Sequence, residues 1–215
     1  MVHSRQIDGT EVVFGNEGAL FGNAMTWWDH DTGSVWSQPL AAPILGPRAG
    51  SDVKLELLPS ELTAWASWFA AHPETVALDA DGGPTGFDLA DMTLVVELGE
   101  HSAAFPVVAA RTEGVINDQV GDEPVAIAFD PADPQRWRVY SRRVGDGAVR
   151  LELASAQLRD PVSDTRWDLL TGRGLEGPLA ADALRPLPAF TSFPDDYRNF
   201  FPGGRIWPET ATTSP

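Results

Sequence analysis

The sequence contains no cysteine. Disulfides, thiolate nucleophiles and thiolate-bound metals are excluded together, and the redox compartment leaves no trace in the chain. Lysine is almost as scarce, with Lys54 its single instance. Fifteen basic residues face 31 acidic ones, a formal net charge of −16 over 215 residues. A surface of that sign repels phosphate backbones and anionic lipid, so neither nucleic acid nor a membrane surface is an expected partner. Acid-rich, lysine-poor composition fits a salt-adapted proteome, and a GC-rich genome that trades lysine for arginine produces the same bias. No apolar run reaches the length of a membrane span, and residues 1–14 carry no basic-then-apolar signal pattern. The chain therefore reads as soluble, with its compartment open. No serine sits in a Gly-x-Ser-x-Gly elbow, and no Gly-rich run follows a strand to open a helix as a phosphate loop must.

Eight tryptophans and 43% hydrophobic residues are enough for a real core and exclude a disordered chain. One cassette is written twice. Asp29, Trp36, Gly46 and Pro47 keep the same spacing as Asp160, Trp167, Gly177 and Pro178. A Leu-x-x-Leu-Pro follows each, at residues 55–59 and 184–188. Upstream, Ser4-Arg5-Gln6-Ile7 matches Ser141-Arg142-Arg143-Val144, so the echo begins before the tryptophan cassette. Asp8-Gly9 predicts a hairpin turn, and Gly15, Gly18 and Gly22 punctuate short strands up to Thr26-Trp27-Trp28. Residues 34–38, 53–58, 94–98, 103–108, 115–120, 124–129 and 137–142 read as further strands, being short, β-branched or aromatic, and bounded by turn residues.

Two helices are expected. In the first, Ser60 is the N-cap, Leu62, Trp65, Trp68, Phe69 and His72 share one face, and Pro73 is the stop. Pro194-Asp195-Asp196 opens the second, which carries Tyr197, Phe200 and Phe201 and stops at Pro202. The aromatics of both faces read as core, as do Trp36 and Trp167. The fold class is mainly β (α+β): two related β-rich repeats, each with one short amphipathic helix. The first repeat spans 1–80 and lacks its N-terminal strands, 81–90 is a linker, 91–208 is a complete second repeat, and 209–215 is a loose tail.

Asp29-x-Asp31-x-Gly33 and Asp79-x-Asp81-Gly82 resemble the opening of a calcium loop, which makes Asp29, Asp31, Asp79 and Asp81 candidate ligands. Leu40 stands where the first loop needs its closing Glu, so turn-forming aspartate is the competing reading, and no cofactor is expected. The four histidines are scattered without zinc-site spacing. His30 lies between two aspartates that would orient it and raise its pKa, and His72 fits a hydrogen-bonded core position. Asp29, His30 and Asp31, with Asn117 and Asp118 from the second repeat, are the candidates for acid–base chemistry.

Several runs are similar to one family. They are Asp8-Gly9 with Phe14-Gly15, Met25, residues 29–38, Gly46-Pro47, and Leu62-Thr63 with Trp65, Trp68, Pro73 and Thr75. The second repeat adds Ala104-Phe105-Pro106 and Val115-Ile116-Asn117-Asp118 with Val120-Gly121. Over nearly its whole length the chain resembles the prokaryotic domain-of-unknown-function family 3179. Members of that family commonly carry a Cys-Pro-x-Cys-Gly segment where this chain has Phe129-Asp130-Pro131, so any thiol or metal role of that segment is absent here. Members often look exported. The resemblance implies a fold lineage and no reaction. Two functions are weighed: a non-catalytic module that binds a small molecule or protein partner, or assembles with one, and a hydrolase or lyase using Asp and His in a cleft between the repeats. The first needs no convergent polar set and is preferred.

Overall fold

Two-residue hairpin turns of positive φ set the beginning of the chain. β1 (Gln6–Ile7) and β2 (Thr10–Glu11) are joined through Asp8 and Gly9, at φ of 50° and 75°. β3 (Phe14–Phe21) and β4 (Ala24–Asp29) are joined the same way through Gly22 and Asn23. Both turns have the mirror-image geometry that suits the twist of an antiparallel pair. β5 (Val35–Ser37) and β6 (Ala42–Leu45) complete a four-stranded meander in the order β3-β4-β5-β6. The computed structural model describes residues 1–77 and 89–208. The expected calcium-loop aspartates Asp79 and Asp81, most of the expected linker and the 209–215 tail lie outside the described residues. Leu89, at the end of that linker, is buried in the main core.

After α1 (Trp65–Ala71), the chain forms β7 (Thr93–Leu98), β8 (His101–Pro106), α2 (Val107–Glu113), β9 (Val115–Val120), β10 (Glu123–Asp130) and β11 (Asp133–Ser141). β12 (Arg143–Val144) and β13 (Gly147–Ala148) then make a small ladder. β14 (Glu152–Ala154), β15 (Gln157–Arg159), β16 (Arg166–Asp168) and β17 (Gly174–Glu176) make a second meander. β18 (Phe190–Ser192), α3 (Pro194–Phe200) and β19 (Arg205–Ile206) close the chain onto the sheet β18-β7-β8-β19. The mainly β class is what the residues dictate.

The sheet β11-β10-β9 is the middle layer, and period-two alternation along β10 serves both its faces. Val125, Ile127 and Phe129 join Leu94, Val96, Phe105 and Val139 in one core, while Ala126 and Ala128 join Tyr140, Leu158 and Trp167 in another. The first meander has a smaller core of its own around Trp36, with Ile7, Val12 and Leu55. Its edge meets β7 through the Lys54–Glu97 ion pair.

The two meanders share their wiring. Trp36 pairs with Pro43 across a register shift, and Trp167 pairs with Gly174 across the same shift. The His3–Leu57 bridge in the first has its counterpart in Tyr140–Pro186. Backbone bonds from Leu55 to Ala41 and from Leu184 to Gly172 correspond, and Ala41 and Gly172 both sit at positive φ (53° and 69°). At Gly177 a Cβ would lie 2.5 Å from the Thr165 Cα, which reserves that turn for glycine. α1 and α3 follow their meanders with matching ends: Ala64 and Phe193 are extended N-caps, and His72 and Phe201 close the helices with nearly equal dihedrals.

Four expectations change. The first helix begins at Trp65, not after Ser60, because Thr63 Oγ1 and the Ala64 N–H donate to the Asp133 carboxylate (2.9 and 3.0 Å) and hold Ala64 extended. Its Trp65 and Phe69 are half-exposed and the helix buries no residue, so this aromatic face is not core. Residues 53–58 contribute a single bridge instead of a strand. α2 is an additional helix: the strand expected over 103–108 stops at Pro106, and Gly114, at φ 71°, ends the turn that follows.

Candidate functional site

Asp29 ends β4 fully buried, and its hydrogen bonds hold the turn that precedes Trp36 and the Trp36 indole, with Arg48 3.8 Å away. Its Oδ1 accepts from the Thr32 N–H (2.6 Å) and hydroxyl (2.8 Å), and its Oδ2 accepts from the Trp36 indole (2.8 Å). Burial alone would raise this carboxyl; the donations from Trp36 and Thr32, with Arg48 nearby, more than offset it and hold it below the ordinary value. His30 is exposed and stacks flat on Trp28 at 4.2 Å, and Asp31 is exposed. Asp160, the counterpart of Asp29, takes the Ser163 N–H (2.9 Å), but Trp167 donates to the Asp182 carbonyl instead (2.9 Å).

Asn117 on β9 exchanges two hydrogen bonds with the Leu151 backbone (2.6 and 2.7 Å) and so ties the middle sheet to the second meander. Asp118 pairs with Arg205 at 2.6 Å. The five candidates thus form two separate groups with different partners, and none of them lines either of the two cavities described here. Among the described residues no three His, Asp or Glu side chains gather as a metal site. No helix among them is long and apolar enough to cross a membrane.

The smaller cavity, about 340 Å³, opens beside His3, Lys54 and Glu97. Burial first, then the N-terminal ammonium and Lys54, push His3 down to about 4.

The larger cavity, about 670 Å³, was not read from the sequence. Glu61, Trp68 and His72 wall it on one side, and Arg136, Arg138 and Asp168 on the other. Trp68 and His72 lie ring to ring at 4.2 Å, and the Trp68 indole donates to Thr75 Oγ1 (3.1 Å). In α3 the corresponding residues, Tyr197 and Phe201, are seated on Val95, Ala104 and Phe190 of the sheet. Among the described residues no such sheet lies beneath α1, and Trp68, Ala71 and His72 line the cavity.

Arg136, Arg138 and Tyr140 alternate along β11 and therefore leave it on one face. Glu61 receives the Arg136 Nη2 (3.1 Å) and forms a close ion pair with Arg138. Arg138 is further occupied: its Nε donates to the Leu170 carbonyl (2.8 Å) and its Nη1 to the Trp137 carbonyl (3.2 Å). Arg136 is 9% exposed, and its Nε is buried without a hydrogen-bond partner. Asp168 accepts from the Thr171 N–H (2.8 Å) and hydroxyl (2.7 Å); against the burial that would raise it, these donors and Arg136 hold its carboxyl below the ordinary value. Burial pushes the Tyr140 phenol up to about 12, with Arg138 opposing. The signal that would have found this site is the alternation Arg136-x-Arg138-x-Tyr140, which begins one residue before the strand expected over 137–142 and lies wholly within the observed β11.

The chain matches the family described as "Protein of unknown function (DUF3179)" twice, over residues 1–89 and over 84–204. No curated protein matches it.

Proposed function

This chain belongs to the DUF3179 family, and we propose that it is a non-catalytic binding module made of two copies of one unit, the first within 1–80 and the second within 91–208, with a small-molecule site in the cleft between them. The matched registers, turns and helix ends of the two meanders support the copies. One observation carries the site: the 670 Å³ cavity is framed by α1 from one copy and β11 from the other, and Arg136 on its wall keeps a buried Nε without a hydrogen-bond partner. A cavity of that size accommodates an ordinary small ligand, and a few convergent polar groups among apolar walls are the usual composition of such a site. Among the described residues, no sheet packs against α1 as β7 and β8 pack against α3, and the cavity lies on that face of α1.

Intrinsic tryptophan fluorescence and melting temperature, measured against a panel of metabolite-sized compounds, test this reading. Compounds that bind should quench Trp68 and raise the melting temperature, and both responses should vanish in Ala71→Trp, which fills the cavity wall. Responses unaltered by that substitution would place binding elsewhere and defeat the proposal.

A further inference from the structure

Resting on that reading, we infer that the ligand of the cleft carries a carboxylate, which Arg136 and Arg138 receive in place of the Glu61 side chain. The two guanidinium groups meet at a single point, the Glu61 carboxylate. Arg138 is otherwise held by the fold itself, through the Leu170 and Trp137 carbonyls and a hydrogen bond with the Tyr140 side chain, and Asp168 is taken up by its own turn. The exchangeable positions are therefore the Nη2 atoms that hold Glu61 and the unpartnered Nε of Arg136. Together the Nε and Nη2 of Arg136 form the planar fork that fits a carboxylate with two parallel bonds.

Charge balance says what happens to Glu61. Arg136 and Arg138 stand against Glu61 and Asp168, so this largely buried set is neutral as it is. A second anion added beside Glu61 would leave an uncompensated buried charge, which is strongly disfavoured. Exchange of one carboxylate for another preserves the balance. Glu61 can leave without unfolding α1, because the backbone around it is held separately by Asp133 at Thr63 and Ala64. Trp68, Leu170 and Leu187 on the cavity wall would cover an apolar body attached to the incoming acid. Glu61 is thus an internal stand-in for the ligand.

Benzoate and acetate are the probes, each compared with chloride at equal ionic strength. In Glu61→Gln the internal anion is gone, and the benzoate Kd should fall by about tenfold or more, since apparent affinity scales with the fraction of molecules in which the site is open. Glu61→Ala should melt lower than wild type and recover with carboxylate but not with chloride. Neither rescue nor binding should survive Arg136→Ala. Should Glu61→Ala fail to fold, Glu61→Gln decides the matter by affinity alone. Equal responses to benzoate and chloride in Glu61→Gln would overturn the inference. Neutral compounds that still bind wild type and are lost in Ala71→Trp would then leave the cleft reading standing.

Discussion

Removing the Asp133 carboxylate should release α1 while leaving the rest of the fold in place. Asp133 is 5% exposed at the start of β11, and it accepts from Thr63 Oγ1 at 2.9 Å and from the Ala64 N–H at 3.0 Å. It also accepts from the Gln135 N–H at 3.1 Å, and Ser67 donates to it. Ala64 has no side-chain cap of its own, and α1 buries no residue, so this carboxylate is the N-cap of a helix that packing hardly supports. The Thr63 and Ala64 hydrogen bonds alone, at about 1.5 kcal/mol each to an ionised acceptor, give at least about 3 kcal/mol for the tether, before the Ser67 contact is added. That corresponds to roughly a hundredfold more frequent opening of α1 in Asp133→Ala. Asp133→Asn keeps one acceptor and should lose about 1 kcal/mol, as a weakened cap does. Native-state hydrogen exchange at the Trp68 and His72 amides reads the opening directly. The urea midpoint of the core should move far less. Burial would raise the Asp133 carboxyl, and the donors from Ala64, Thr63, Gln135 and Ser67 more than offset it, so its folded value lies below the ordinary one. The tether is therefore at full strength above the ordinary aspartate range and fades as pH falls through the lowered value. Unchanged exchange at Trp68 in Asp133→Ala would refute the reasoning, and so would a core destabilised as much as the helix.

Trp36→Ala and Trp167→Ala each empty a fully buried aromatic site and should cost about 3–5 kcal/mol, read from urea midpoints. Asp29→Ala strands the buried Trp36 indole N–H without an acceptor and should cost about 2–4 kcal/mol by the same measurement. Because the Asp29 carboxyl is held below its ordinary value, the stability it contributes is lost as pH falls through that lowered value, and Asp29→Ala should flatten the acid limb of a stability–pH curve. With 31 acidic residues against 15 basic, the melting temperature should climb as sodium chloride rises from about 0.01 to 1 M, over which the Debye length shrinks from about 30 to about 3 Å. A flat profile would mean the acids are already paired or widely spaced.

Most strands were legible because their signals are local. Asp8-Gly9 announces its turn, and the alternation of residues 124–129 announces a strand with two buried faces. What could not be read was decided by distant groups. α1 starts where Asp133, 69 positions from Ala64, holds the backbone, and no capping rule based on neighbouring residues finds that. α2 was hidden by Val107-Val108, which continue a β-branched pattern past the break at Pro106. Asp29, expected as a metal or acid–base group, spends its lone pairs on Thr32 and Trp36; the same spacing in the second copy carries no such bond to Trp167, so the spacing alone did not reveal it. The cleft draws on α1, β11 and the turn after β16, three places with no common sequence signature.

The sheet β18-β7-β8-β19 also sets an order of events for a chain being made. Each meander pairs strands that are neighbours in sequence, so it can close through short loops and form early. β7 and β8 must wait: their outer partners lie at Phe190–Ser192 and Arg205–Ile206, and Ser102 meets Tyr197 across 95 positions. Until those residues leave the ribosome, β7 and β8 form a bare hairpin with two open edges, among them the apolar run Leu94-Val95-Val96. Such edges pair with whatever strand arrives first. Synthesis of residues 107–206 is therefore the interval in which this hairpin stands open to aggregation, and slowing translation after Pro188 should lengthen it.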